Sequence, residues 1–158
     1  MLLFSKDIKW SEKNIWNKAL NLKILSSAGF LVPEFVCLES IFLAPLLENE
    51  KTLEELLGEI NTWFNKERYI VRSSALVEDL DDSSMAWQFC SEIDLRPEEL
   101  ETAIKKVIKV WKEKLNGDLT KFSIIIQEYI VADMSWVTFT RNPMWWREMT
   151  IEYFKWEN

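Results

Sequence analysis

The alternation of apolar and polar positions divides this chain into mixed helices and strands. Leu2, Leu3 and Phe4 form a short apolar run that predicts an edge strand. From Asn14 the spacing turns helical, with Leu22, Leu25 and Ala28 toward the expected core. Gly29 follows where a helix commonly closes on a left-handed residue. Past Pro33 the run Phe35, Val36, Cys37, Leu38 reads as a strand, and a short helix near Ser40 to Leu43 is expected to stop at Pro45. Thr52 and Glu55 have the spacing of a capping box, and Leu53, Leu56, Leu57, Ile60 and Phe64 mark one helical face after it.

Tyr69, Ile70 and Val71 predict a short β-run that delivers Arg72, Ser73 and Ser74 at its end. Glu78, Asp79, Asp81 and Asp82 then mark a loop, and a strand is expected from Gln88 to Ile93. Pro97 opens the clearest helix, with Leu100, Ile104, Val107, Ile108, Trp111 and Leu115 at helical spacing between Lys and Glu residues. Residues 122–130 form an apolar strand ending near Gln127 and Glu128, with residues 137–140 as its expected antiparallel partner and residues 149–153 as a last strand. Without a strict βαβ alternation, the fold class is α+β, read as one domain over residues 1–158.

Composition narrows the chemistry. With 48% hydrophobic residues in 158, the chain can build a real core. A net charge of −7 argues against a general nucleic-acid surface, which needs a basic face. There is no run of apolar residues long enough to span a membrane and no secretory pattern at the start, so the reading is cytoplasmic. Cys37 and Cys90 fit no metal or redox spacing. The chain has no histidine, which excludes a phosphohistidine or a histidine base within it.

Arg72 with two following hydroxyls is poor core material, because such groups need partners once desolvated. Its planar fork suits phosphate oxygens, and a serine-rich turn can add backbone N–H groups. An arginine that caps a neighbouring carboxylate explains the same spacing, and the residues alone leave both readings open.

Taken together, Lys18-Ala19-Leu20-Asn21-Leu22, Ser27-Ala28-Gly29-Phe30-Leu31-Val32-Pro33, Val71-Arg72-Ser73-Ser74-Ala75 with Glu78-Asp79-Leu80, Ala86 with Gln88-Phe89, Ile126-Gln127-Glu128 and Phe139-Thr140-Arg141-Asn142-Pro143 keep one order and spacing. This resembles the N-terminal ATP-binding domain of the pyruvate phosphate dikinase and phosphoenolpyruvate synthase (pyruvate, water dikinase) family. The resemblance implies an ATP-grasp fold, with ATP and Mg²⁺ as cofactors and phosphoryl transfer as the activity. It also implies roles. Lys18 and Arg72 would contact the phosphates as catalytic residues. Residues 83–88, including Ser84, Met85, Ala86 and Gln88, would close over them. Gln127, Glu128, Tyr129 and Ile130 would read the adenine edge, Arg141 would line the nucleotide site, and Glu152 would hold the metal across a shared polyphosphate cavity. Without the resemblance, Lys18 would be a solvated helix lysine and Glu152 a water-facing strand residue. In the family the domain continues beyond the last strand and works with a phosphohistidine domain. A histidine-bearing partner in cis or trans is therefore implied, and the chain reads as a truncated part, inactive alone.

The departures are systematic. The chain has three glycines and nine tryptophans, and the family pattern calls for glycine at Trp16, Trp87, Trp136, Trp146, Trp156 and, less closely, Trp145. Trp87 matters most, because a glycine there lets backbone approach phosphates. Trp63 and Trp111 instead fall on helical faces that suit an aromatic ring. One explanation is divergence into a non-catalytic binding or scaffold module whose site is plugged by Trp16 and Trp87. The other is a stop-type codon read as Trp here and as Gly in the source organism. A single cause for six positions outweighs six bulky replacements at tight turns. Intact-mass analysis of the native protein should then fall short of the sequence mass by about six Trp-to-Gly differences; a mass equal to the sequence mass establishes divergence.

Overall fold

The computed structural model describes residues 2–4, 17–75, 91–140 and 149–155. Its strands make a five-stranded antiparallel sheet and a separate two-stranded one. In chain order the elements are β1 (Leu2–Phe4), α1 (Asn17–Ser27), β2 (Phe35–Leu38), α2 (Leu43–Glu48), α3 (Glu50–Trp63), β3 (Tyr69–Ala75), β4 (Ser91–Leu95), α4 (Leu100–Lys114), β5 (Phe122–Glu128), β6 (Met134–Phe139) and β7 (Thr150–Lys155). The larger sheet runs β1-β2-β5-β3-β4, and the smaller pairs β6 with β7. This is the expected α+β class, with β1 at an edge.

Helices cover both faces of the larger sheet. On one face α2, α3 and α4 bury Leu43, Leu53, Ile104, Val107, Ile108 and Trp111 against Val71, Phe122, Ile124 and Ile126. The Trp111 ring stacks on Phe122 at 5.6 Å. On the other face α1 places Ala19 on Phe35, Cys37 and Ile125. Burial from both sides explains why β2 is apolar throughout and β5 carries Ile124, Ile125 and Ile126 in succession instead of alternating.

Several local expectations change. Pro45 does not stop a helix; it sits in the first turn of α2, where its missing N–H would have no intrahelical partner anyway. The start of α3 lies before Thr52, because the Asn49 side chain accepts from the Lys51 N–H at 3.0 Å and caps the helix there. In α1 the inward row is Ala19 with Leu22 half-buried, while Leu25 and Ala28 are exposed. The closing turn behaves as expected: Phe30 N–H bonds the Leu25 carbonyl and Gly29 takes φ +84°. Residues 137–140 do not pair with β5, since both edges of β5 are taken by β2 and β3. Residues 137–139 belong to β6, which pairs with β7 and sets Trp136 opposite Tyr153. Trp63 is 74% exposed and Phe64 takes the buried position. Trp10, Trp16, Trp87, Trp145, Trp146 and Trp156 lie outside the described residues.

Cys37 illustrates the dryness of the α1 face. Burial pushes its thiol pKa up to about 12, with Glu39 adding to the rise and a hydrogen bond with Ser123 opposing it. The reactive thiolate is therefore suppressed in the fold. At mildly alkaline pH, iodoacetamide should leave the Cys37 peptide unlabelled until urea unfolds the protein. Labelling at equal rates in both states, read by peptide mass spectrometry, would overturn that burial.

Candidate functional site

The site is organised where α1 packs against the second half of β3. Arg72, Ser73 and Ser74 fall near the end of β3 as expected, one residue short of its close at Ala75, with Arg72 opposite Ile125, Ser73 opposite Ile124 and Ser74 opposite Ser123. The serines are fully buried. Ser74 Oγ accepts the Ala19 N–H at 3.3 Å and so ties α1 to the sheet. Ser123 Oγ donates to the Ser74 carbonyl at 3.4 Å. Ser74 thus fastens α1 rather than presenting its hydroxyl to a ligand.

Lys18 stands beside this junction. Its Nζ donates to the Ser73 carbonyl at 3.1 Å from a half-buried position. Arg72, also half-buried, shares the sheet face of its cross-strand partner Ile125, which is the face α1 covers. The structure therefore sets an ammonium and a guanidinium at the face that α1 covers. Two such cations suit phosphate oxygens. A hollow of about 140 Å³, lined by Leu38, Phe42 and Leu56 among others, opens on the opposite, α2–α3 face and contains neither cation.

The remaining candidates are not drawn together so closely. Glu152 is exposed on β7, opposite Val137. Among the described residues no three acids, cysteines or histidines cluster as a metal cage. Ser84, Met85, Ala86, Gln88 and Arg141 lie outside the described residues. Gln127 and Glu128 close β5, and Tyr129 and Ile130 follow it. Gln127 donates through Nε2 to the Pro33 carbonyl at 3.1 Å. The N–H groups of Glu128 and Tyr129 are committed to the carbonyls of Glu34 at 2.9 Å and Arg68 at 3.0 Å. An adenine edge would therefore meet this segment through other groups. Sequence reasoning missed Lys66, which bridges Glu34 and Glu128. Its partners are remote in sequence, and no local spacing marks them.

The family model for the pyruvate phosphate dikinase AMP/ATP-binding domain matches residues 39–153, most of the chain. The chain belongs to that family. Arg72, Gln127, Glu128 and Glu152 fall inside the matched part of this dikinase-family domain, and Lys18 precedes it. The chain is also similar to the uncharacterized phosphotransferase YvkC of Bacillus subtilis (strain 168), at 28% identity over 80% of the chain. It spans about a fifth of that relative's length, 19%. Among the described residues no helix of this dikinase-family domain is long and apolar enough to cross a membrane.

Proposed function

We propose that this chain is the nucleotide-binding part of an ATP-dependent phosphotransferase, similar to phosphoenolpyruvate synthase, in a single ATP-grasp-type domain working in the cytoplasm. The observation that carries the reading is the junction of α1 with β3, where Lys18 and Arg72 lie at the face that α1 covers. Phosphoryl transfer asks the protein mainly for positioning and charge neutralisation. Arg72 supplies a fork for two phosphate oxygens, and Lys18 supplies a point charge next to it. The family match to an AMP/ATP-binding domain supports the same assignment.

One exposed carboxylate is no cage for a free cation, but Mg²⁺ is commonly held by one or two carboxylates together with substrate phosphates. Glu152, exposed on β7 in the smaller sheet, is the carboxylate that would take that lesser role, and a bound ion would supply neutralisation of charge on the phosphates. The chain's lack of histidine assigns any phosphohistidine step to a partner domain, in cis or in trans. Calorimetric titration with Mg-ATP tests the proposal. Saturable binding is expected, and no heat of binding at millimolar nucleotide would leave the scaffold reading in its place.

A further inference from the structure

Three remote segments meet around one ammonium at the end of β5. Lys66 Nζ lies 2.6 Å from a Glu34 carboxylate oxygen and 3.5 Å from one of Glu128. The loop carrying Lys66 is held from below: its backbone N–H donates to the Tyr69 hydroxyl at 2.8 Å, and that hydroxyl donates to the Phe64 carbonyl at 3.0 Å. Tyr69 is fully buried. Backbone bonds from Glu128 to Glu34 and from Tyr129 to Arg68 run through the same spot.

An exposed ion pair contributes little, but this ammonium keeps only 22% of its side-chain surface and also sits 5.7 Å from the Phe64 ring centroid. Removing it would leave two carboxylates facing each other across the bonds that fix the backbone at 128 and 129. Its pKa is raised above the ordinary lysine value, chiefly by the hydrogen bond to Glu34, with desolvation opposing and Glu128 assisting. The charge is therefore present throughout the neutral range and would be lost only as pH rises through that raised value.

We propose that Lys66 is a positioning residue that sets the backbone of residues 127–130 and, through it, the preference for one nucleotide base over another. The base-preference half rests on the nucleotide-binding reading above. The test compares Lys66→Met, Lys66→Arg and Glu34→Gln with the wild type by two measurements: hydrogen exchange at the Glu128 and Tyr129 amides, and dissociation constants for Mg-ATP and Mg-GTP. Lys66→Met should speed exchange at those two amides by about tenfold while the Ile124, Ile125 and Ile126 amides keep their rates. The ATP-to-GTP preference should shrink by about tenfold, the equivalent of about 1.4 kcal/mol of base discrimination lost with the displaced backbone. Lys66→Arg should restore both, and Glu34→Gln, which removes the shorter contact from a partly exposed position, should move both the same way. Unchanged exchange, or equal weakening of both nucleotides, overturns the proposal. A wild type that binds neither nucleotide sinks the base-preference half along with the nucleotide reading, and exchange at the two amides still decides whether Lys66 sets that backbone.

Discussion

Tyr69→Ala should lower the unfolding free energy by about 4 kcal/mol, measured by urea titration, the size seen when a large buried aromatic is cut to alanine. The ring is fully buried at the first position of β3 and meets the Phe64 ring at 5.8 Å in a tilted arrangement. Its hydroxyl also satisfies the Lys66 N–H and the Phe64 carbonyl. Loss of the ring leaves a cavity in the main core, and loss of the hydroxyl leaves both backbone groups without that partner. Against a total of about 5–15 kcal/mol for an ordinary domain, this removes between roughly a quarter and four-fifths of the stability. Tyr69→Phe separates the two effects. It keeps the ring, so it should cost only about 1–3 kcal/mol, the desolvation penalty of a polar group left without its bond. If both variants match the wild type within experimental scatter, Tyr69 does not anchor the turn from α3 into β3.

How much of this was legible depends on whether the deciding contacts are local. α4 was readable because Leu100, Ile104, Val107, Ile108 and Trp111 repeat at the helical period, and each is buried. β2 was readable because four apolar residues follow a proline and a turn. Pro45 misled because a proline in a helix's first turn and one that ends a helix look alike without knowledge of where the first turn falls. Asn49 decides that, by leaving α2 in an extended conformation and capping α3 at once.

Long-range pairing was the harder part. Nothing in residues 134–139 says that both edges of β5 are already occupied, so the choice of β7 over β5 was not written locally. The same holds at the site. Arg72 and Lys18 were nameable from the motifs they sit in, but the use of Ser74 to tie α1 to the sheet was not, because Ser74 and Ala19 are 55 residues apart. Lys66 stayed silent for the same reason. Lone charged residues in loops are usually solvated, and only the fold brings Glu34, Lys66 and Glu128 to one point.

Arg72→Ala should weaken Mg-ATP binding by roughly 10- to 100-fold, the equivalent of one or two charge-assisted hydrogen bonds to phosphate. The size of the effect follows from the place of the side chain. Arg72 is half-buried on the α1 face of a central strand, so water screens it less than a surface arginine. Lys18 should matter less, since its ammonium is already engaged with the Ser73 carbonyl and offers a point charge without a fork. Arg72→Lys should recover only part of the loss, because it keeps the charge and gives up the bidentate geometry. AMP provides the internal control: if Arg72 grips the outer phosphates, Arg72→Ala should weaken AMP binding far less than ATP binding. The competing role, a structural arginine tied to a neighbouring group, predicts a different pair of results, with a lowered melting temperature and an unchanged dissociation constant for the molecules that remain folded. An Arg72→Ala protein that melts with the wild type and binds Mg-ATP equally well removes this arginine from the phosphate site.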